Sequence, residues 1–420
     1  MSKLLIIADD LTGSLDTGVQ FSKHGINTVV EIMHDETVNL DTHCDVLVID
    51  TDSRHISPEL AYKRVLELVR AARDAGFNYI FKKTDSMLRG NIGSELAALV
   101  EASSENELIF MPAYPKAKRY TIKGRHYLGD TPLSCTVFAK DPSNPVNHDE
   151  VKEIIHEQTA LPVDCVYYDQ YNRLKETARK DKAIIVVDGR NDEELFRLGR
   201  ILKDANKLKL LAGCAGFAEL LPDLLGFQLQ SYNIETRRGN RLIVSGSVNP
   251  MALSQVSQAI NYCGYSDQAL TIDQMIASDE DDIDNTKLIS ALKSHGKAVI
   301  WTKGTPKTVR QTYAEAIKKH IKHEDVPTVI ANNIGRIAGS LLMAEYIQSL
   351  IVFGGDTLLG IAKELGCNSI KPVTDVLPGI VFARFNDERY KNIDVITKAG
   401  GFGDYDVIAA IEEFLDKNSV

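Results

Sequence analysis

The chain has 420 residues, 58 acidic and 48 basic side chains and a formal net charge of −10. At about 100 to 200 residues per domain, this length indicates two or three domains that can bury a large core without disulfides or a structural metal. A content of 44% hydrophobic and 25% charged residues excludes a wholly disordered, collagen-like or coiled-coil chain. The acidic balance disfavours non-specific binding to nucleic acid or to an anionic membrane.

The cysteines and the apolar segments indicate where the protein works. Six scattered cysteines form no C-x-x-C pair, which is typical of thiols in a reducing cytosol. The first residues, MSKLLIIADD, contain too short an apolar stretch for a signal peptide. No apolar run approaches the roughly 18 residues that a membrane-spanning helix needs. We therefore expect a soluble, cytoplasmic protein.

Short apolar segments alternate with amphipathic ones along the first half of the chain. The predicted strands are Leu4–Ala8, Thr28–Ile32, Val46–Ile49, Tyr79–Phe81 and Leu108–Met111. The predicted helices are Leu15–His24, Pro58–Ala75 and Gly93–Ser103. Ser57 is a good N-cap for the second helix, and Pro58 suits its first turn. This βαβα order predicts a mostly parallel sheet covered by helices.

Beyond residue 111 the pattern breaks and then resumes. Residues 112–145, rich in Pro, Gly, Lys and Arg, predict a long loop or hairpin, and a strand at 182–188 and a helix at 192–203 follow. The polar segment 231–240 divides the chain into predicted domains 1–235 and 236–420. The second half has strands predicted at 241–244, 298–301, 349–353 and 393–397, and helices predicted at 252–263, 307–319, 334–345, 358–365 and 406–415. The acidic segment 279–284 predicts an exposed loop.

Ligands of open α/β sheets bind at the carboxyl ends of strands, so the first strand–loop junctions are the first candidate sites. Asp9 and Asp10 directly follow the opening strand and could deprotonate a hydroxyl or hold Mg²⁺; the alternative is an aspartate that caps the next helix. Arg54 follows the predicted strand Val46–Ile49 and could bind a carboxylate in a bidentate pair; the alternative is a solvated side chain in a capping turn. The segment 82–93 (KKTDSMLRGNIG) packs cations, a carboxylate and hydroxyls between a strand and a helix, which favours a binding role.

Three glycine-containing junctions mark the second half: Ser245–Pro250, Phe353–Thr357 and Lys398–Asp404. Backbone N–H groups at such helix starts, together with Lys398, make a plausible phosphate cradle. Other nucleotide signatures are missing, since residues 124–131 have P-loop spacing but carry Asp130 instead of lysine. Protein-kinase motifs, G-x-G-x-x-G and H-E-x-x-H are also absent.

Taken in order, these segments resemble the four-carbon acid sugar kinase family. The segments that carry the resemblance are Ala8–Gly13 (ADDLTG), Thr51–Arg54 (TDSR), Lys83–Asn91 (KTDSMLRGN), Pro112–Pro115 followed by Gly124, Ser245–Ser247 (SGS), Gly354–Thr357 (GGDT) and Lys398–Asp404 (KAGGFGD). They span nearly the whole chain. Within the family, Gly13–Gln20 is more similar to the threonate kinase branch than to the erythronate or 3-oxo-tetronate branch.

The resemblance implies a two-domain kinase with its active site in the interdomain cleft. The N-terminal domain would hold a small sugar acid, the C-terminal domain would hold ATP with Mg²⁺, and the product would be a 4-phosphate. Asp10 is the expected base, with Asp9 as the second candidate. The expected substrate-binding residues are Asp10, Arg54, Lys83, Thr84, Asp85, Ser86 and Arg89. Of these, Arg54 and Arg89 would hold the carboxylate, and Lys83, Asp85 and Ser86 would hold the hydroxyls. The expected nucleotide-binding residues are Ser245, Gly354, Gly355, Asp356, Thr357, Lys398, Ala399, Gly400 and Gly401.

Several alternatives stay open at this point. The best candidate substrate is D-threonate, and D-erythronate and 3-oxo-tetronates are the alternatives within the family. Functions of another class are a non-catalytic sensor of sugar acid and nucleotide, or a dinucleotide-dependent oxidoreductase on a similar scaffold. The sequence does not assign the metal ligands, and it is compatible with a homo-oligomer as well as with a monomer.

Overall fold

The computed structural model describes residues 3–33, 40, 43–141, 144–176, 179–278 and 283–420. Its internal contacts divide the chain into two compact units, Met1–Ser231 and Tyr232–Val420. The division falls in the polar segment where the sequence predicts a domain boundary. Residues 279–282 of the predicted acidic loop lie outside the described residues.

The first unit consists of short strands and helices in largely alternating order. Its strands are β1 (Leu4–Ala8), β2 (Thr28–Ile32), β3 (Val46–Asp50), β4 (Tyr79–Lys83), β5 (Glu107–Met111), β6 (Arg119–Ile122), β7 (Arg125–Leu128), β8 (Thr131–Pro132), β9 (Val163–Val166), β10 (Ala183–Val187) and β11 (Leu210–Gly213). Its helices are α1 (Leu11–Ser22), α2 (Pro58–Asp74), α3 (Ile92–Ala102), α4 (Val151–His156), α5 (Asp192–Asp204), α6 (Ala215–Ala218) and α7 (Leu221–Leu224).

The main sheet of this unit is parallel, with strand order β2-β3-β1-β4-β11-β5-β10-β9. All five residues of β1 and of β3 are buried, as expected for central strands covered by helices on both faces. In the pairing register Ala8 lies opposite both Asp50 and Lys83. The carboxyl ends of β1, β3 and β4 therefore meet at one edge of the sheet. The predicted hairpin region forms a small antiparallel sheet, β6-β7-β8.

The second unit repeats the same alternation and ends in an antiparallel meander. Its strands are β12 (Arg241–Ser245), β13 (Ser266–Ala269), β14 (Lys297–Trp301), β15 (Ser349–Phe353), β16 (Ser369–Leu377), β17 (Ile380–Phe385) and β18 (Asp394–Lys398). Its helices are α8 (Pro250–Tyr262), α9 (Ile272–Met275), α10 (Thr286–His295), α11 (Pro306–Lys318), α12 (Val326–Met343), α13 (Gly355–Leu365) and α14 (Val407–Lys417). Within the described parts of the chain, no helix combines the length and the apolar character needed to cross a membrane.

The strand order in the second unit is β13-β14-β12-β15-β18-β17-β16. In this order the neighbours from β13 to β18 pair in parallel, whereas β17 pairs antiparallel with both β18 and β16. From β12 the chain runs out to β13 and β14 on one side, and from β15 it continues on the other side. The reversal between β12 and β15 is a topological switch point, where ligands of open α/β sheets usually bind. The predicted two-domain α/β fold, with a mostly parallel sheet in each domain, is confirmed.

Candidate functional site

The first group of predicted site residues lies at the edge where β1, β3 and β4 end. Asp9 and Asp10 follow β1, Arg54 lies beyond β3, and Lys83 is the last residue of β4. Because these three strands are neighbours in a parallel sheet, residues far apart in sequence converge on one place.

Arg54 is the residue that connects this group. Its Nε lies 2.7 Å from Asp9 Oδ2, and its two terminal nitrogens lie 2.8 Å and 2.7 Å from the two carboxylate oxygens of Asp10. Asp10 also caps α1, since its Oδ1 accepts a hydrogen bond from the Gly13 N–H at 3.0 Å. The cap explains why α1 begins at Leu11, earlier than the apolar periodicity predicts.

Asp9 is buried but stays ionised. Burial raises the pKa of this carboxyl, yet the charges of Arg54, Lys82 and Lys83 outweigh that effect and hold the pKa below its usual value. The side chain of Asp9 is 3% exposed, whereas that of Asp10 is 23% exposed. Among the described residues, no group donates a hydrogen bond to Asp9 Oδ1. This oxygen is therefore available to a donor on a ligand.

Asp85 and Arg89, which the sequence places in separate roles, are bound to each other. Arg89 contacts the two oxygens of Asp85 at 2.8 Å and 3.1 Å and reaches Asp141 Oδ2 at 3.2 Å. Burial opposes ionisation of Asp85, but Arg89 and Arg54 hold its pKa far below the ordinary value. Neither charge is free to meet a ligand without giving up a partner.

The two adjacent lysines of β4 differ in their surroundings. Lys82 is fully buried and lies 2.9 Å from the buried carboxylate of Glu95. Lys83 is also buried, but no ion pair or hydrogen bond of its ammonium group occurs within the described residues. A Cβ added at Gly13 would lie 2.7 Å from Lys83 Nζ, so this ammonium group sits against the first turn of α1. Lys83 is thus a buried cation available to an anionic ligand.

Thr84 and Ser86 complete the first group. Thr84 is buried and donates a hydrogen bond to the Gly213 carbonyl at 3.3 Å, which ties the loop to β11. Ser86 is half-buried, and its carbonyl lies 2.9 Å from Nε2 of the buried His126. Thr84 therefore shapes the loop, whereas the Ser86 hydroxyl is the better candidate for a ligand contact.

The sequence reasoning gave no role to two residues that support this site. Glu95 pairs with Lys82 and accepts a short hydrogen bond from Ser53. Asn91 donates to the carbonyls of Ser53 and Ile56 at 2.8 Å and 2.9 Å, which joins the loops after β3 and β4. For Glu95 a signal existed, since this carboxylate stands among apolar residues in the sequence of α3 (IGSELAALVEA) and needs a buried partner.

The second group lies at the switch point of the second unit. Ser245 pairs with Phe353, and Phe353 pairs with Lys398, so the three predicted glycine loops leave adjacent strands. The place of a Cβ on Gly246 is 3.2 Å from Thr357 Oγ1, which leaves little room for a side chain between the first two loops. Gly354 has φ of 97°, a conformation that favours glycine. Backbone N–H groups in this arrangement suit an anion.

Lys398 serves this group from within the protein. Its side chain is buried and donates to the carbonyls of Ala399, Gly400 and Phe402 at 3.1, 2.9 and 2.8 Å. Burial lowers the pKa of Lys398 to about 7, while the three acceptors favour the ammonium form, which alone has three N–H donors. In this geometry Lys398 orders the loop that contains Gly400 and Gly401, and all of its donors are used in doing so.

Metal binding has a limited basis in the protein itself. Within the described part of the chain, no three His, Cys, Asp or Glu side chains are grouped so that they could hold a metal ion. Mg²⁺ is commonly bound through one or two carboxylates together with substrate phosphates. Asp356, exposed in the GGDT loop, is a carboxylate of the second group that fits this pattern.

Family models match both units. Residues 4–221 match a sugar-binding N-terminal domain, and residues 242–408 match a nucleotide-binding C-terminal domain. The first group of site residues therefore lies in the sugar-binding region, and the second group lies in the nucleotide-binding region.

Curated relatives cover nearly the whole chain. A D-threonate kinase of Salmonella typhimurium is 30% identical over 96% of this chain and 95% of the relative. A D-erythronate kinase of Heliobacterium modesticaldum is 26% identical over 99% and 97% of the two chains. A 3-oxo-tetronate kinase of Pseudomonas fluorescens is 26% identical over 89% and 88%.

Solved structures share the fold. A protein of Salmonella typhimurium LT2, provisionally described as a tRNA synthase, has a TM-score of 0.79 at 20% identity and covers 99% of this chain and 100% of its own. Haemophilus influenzae protein HI1011, of the DUF1537 family, has a TM-score of 0.70 at 21% identity and covers 98% of this chain and 100% of its own. At these identities the likeness concerns the fold alone.

His126 generates a prediction about the pH dependence of stability. Burial lowers the pKa of His126 to about 4, from 6.5 for an ordinary histidine. The unfolded chain therefore binds a proton between these pH values that the folded chain does not, so His126 lowers stability as the pH falls below 6.5. We expect this residue to account for about 2 kcal/mol of lost unfolding free energy at pH 5.

Urea unfolding of the wild type and of His126→Gln between pH 4 and 7 measures this effect. The variant should lose less stability on acidification than the wild type, whatever its stability at pH 7. His295→Gln, which removes an exposed histidine from α10, is the matched control. Equal pH slopes for the wild type and His126→Gln would contradict the assignment.

Proposed function

The chain belongs to the four-carbon acid sugar kinase family, and from that premise we propose that it transfers the γ-phosphoryl group of ATP to the 4-hydroxyl of D-threonate. The enzyme class, a sugar-acid kinase, follows from the curated relatives. Two observations support D-threonate as the substrate: the 30% identity to a D-threonate kinase and the threonate-branch character of Gly13–Gln20. D-Erythronate and 3-oxo-tetronates remain the competing substrates, since kinases of both are also relatives.

The observation that carries the proposal is the buried ammonium group of Lys83, which makes no ion pair or hydrogen bond with any residue that the structure describes. Lys83 interacts electrostatically with the buried carboxyls of Asp9, Asp16 and Asp85 but forms no ion pair with them in the described structure, and a substrate carboxylate placed beside its ammonium group would give it a direct partner. Arg54 already binds Asp9 and Asp10, and Arg89 already binds Asp85. We therefore place the substrate carboxylate on Lys83 first, with Arg54 beside it, and treat Arg89 mainly as the partner that holds Asp85.

Asp10 is the proposed base. It is more exposed than Asp9, and Arg54 and the Gly13 N–H hold its carboxylate in one orientation. Phosphoryl transfer depends mostly on positioning and charge stabilisation, so a well-oriented carboxylate suits the role. Asp9 Oδ1, which is buried and has no donor among the residues described, would accept a hydrogen bond from a substrate hydroxyl.

The nucleotide is assigned to the loops after β12, β15 and β18. The N–H groups of Gly355 and Thr357 would bind phosphate oxygens, and the loop of Gly400 and Gly401 would close the cradle. The Gly354 N–H instead donates to the Lys398 carbonyl at 3.0 Å, which joins the two loops. Mg²⁺ would be held by Asp356 together with the phosphates, and it would neutralise their charge during transfer. The position of the active site in a cleft between the domains, the cytoplasmic location and a homo-oligomeric state stay predictions.

Asp10→Asn tests the base. Asparagine is also a good N-cap, so α1 should keep its start and the variant should fold, although loss of the ion pair with Arg54 should lower its urea midpoint. We expect kcat for D-threonate to fall by about a hundredfold or more, because general-base catalysis typically contributes that much. A variant that folds normally and turns over like the wild type would refute the assignment.

The two lysines of β4 provide a matched pair of variants. Lys83→Met should raise the KM for D-threonate by about tenfold or more. It breaks no ion pair of the described residues, so it should lower the unfolding free energy less than Lys82→Met does, although it weakens the support of Asp9 and Asp85. Lys82→Met leaves Glu95 buried and unpaired, so it should lower the unfolding free energy by about 3 kcal/mol. Steady-state kinetics and urea unfolding of both variants measure the contrast. A Lys83→Met variant with normal KM would show that the carboxylate binds elsewhere.

A coupled ADP-release assay with D-threonate, L-threonate, D-erythronate and 3-oxo-tetronates tests the whole proposal. We expect the highest kcat/KM for D-threonate. A higher value for another tetronate would reassign the substrate within the family. Silence on all of them despite binding would favour a sensor, and thermal stabilisation by NAD rather than by ATP with Mg²⁺ would favour an oxidoreductase.

A further inference from the structure

A fourth strand end joins the nucleotide-binding group. β14 lies beside β12, with Trp301 opposite Ser245, and the segment Thr302–Thr305 (TKGT) follows it. The Thr302 N–H donates to the Ser245 carbonyl at 3.2 Å. The place of a Cβ on Gly304 lies 3.1 Å from the Ser247 carbonyl oxygen. The segment therefore packs directly on the SGS loop.

Two buried hydroxyl groups at these strand ends lack partners. Ser245 is 0% exposed and Thr302 is 6% exposed, and neither hydroxyl makes a hydrogen bond within the described ranges of the chain. An unsatisfied buried polar group costs about 1–3 kcal/mol. Adjacent unsatisfied hydroxyls in the loops of a phosphate cradle point to a ligand that accepts hydrogen bonds.

The cradle also lacks a free cation at Lys398. That ammonium group uses all three donors on backbone carbonyls. Enzymes that transfer phosphoryl groups place cations on the charge that develops at the terminal phosphates. Lys303 is exposed, has φ of 57° and makes no ion pair within the described residues. A non-glycine residue in the left-handed region carries a local cost that often marks a functional position.

We propose that Lys303 is a phosphate-binding residue of the nucleotide site, where its ammonium group meets the terminal phosphates of ATP and the Thr302 hydroxyl donates to a phosphate oxygen. This inference rests on the proposed function and adds a residue to its nucleotide site. A lysine is a flexible point charge, so it can follow the terminal phosphates without a rigid bidentate geometry.

Binding measurements separate a phosphate contact from a structural role. Titration calorimetry of ATP, ADP and adenosine against the full-length protein measures the affinities. Lys303→Met should lower the affinity for ATP by about tenfold or more. The same variant should bind adenosine normally, and Lys303→Arg should keep most of the ATP affinity. Lys322→Met, which removes an exposed lysine beyond the far end of α11, is the matched control and should bind ATP like the wild type.

Thr302→Val is the second variant, because it removes the unpaired hydroxyl at nearly constant volume. Its unfolding free energy without nucleotide should be equal to or higher than that of the wild type, while its ATP affinity should fall. Equal losses of ATP and adenosine affinity in Lys303→Met, or no loss of either, would overturn the inference. A wild type that binds no nucleotide would instead reject the nucleotide site and this inference with it. ATP binding that depends on Lys303 but supports no tetronate turnover would uphold the inference and reject the proposed kinase.

Discussion

The contact of Arg54 with Asp9 and Asp10 is the interaction on which the first site depends. Two adjacent carboxylates at the end of a buried strand would repel each other and resist ionisation. The guanidinium group bridges them at 2.7–2.8 Å and comes within 4.0 Å of Asp85. It thereby connects the loops after β1, β3 and β4 into one arrangement. Asn91 strengthens the same connection through the backbone beyond β3.

Each unit contains a lysine with a structural role and another that is available to a ligand. Lys82 is consumed by Glu95 and Lys398 by three carbonyls, so both order the protein around the sites. Lys83 and Lys303 make no ion pair within the described residues and are available to anions. A cation is useful to a ligand only when the fold has not already neutralised it, which is why residue type alone is a weak guide to function.

The secondary structure was partly predictable. Buried strands such as β1 and β15 were predicted with their observed bounds, because nearly continuous apolar runs identify them. The bounds of β2 (TVVEI) were also predicted, from its β-branched residues. Strands β9, β11 and β13 were missed, since each has four residues and β13 (SDQA) has little apolar character. The β16–β17 hairpin was also missed, and its Pro372 adjoins a shift in the pairing register. Helix starts set by caps, as at Asp10, depend on a hydrogen bond that periodicity does not reveal.

By itself the sequence determined an acidic chain of two α/β domains, the strand ends where polar residues gather and the family that those segments resemble. It did so because apolar periodicity and motif spacing are local properties of the chain. Only the tertiary structure decided which charged groups are already paired within the protein and which are available to a ligand. Asp85 is bound to Arg89, Lys82 to Glu95 and Lys398 to its own loop, while Lys83 has no ion-pair partner in the described part of the chain. Those outcomes depend on distances and burial across neighbouring strands, and the electrostatic energy follows these quantities rather than separation in sequence.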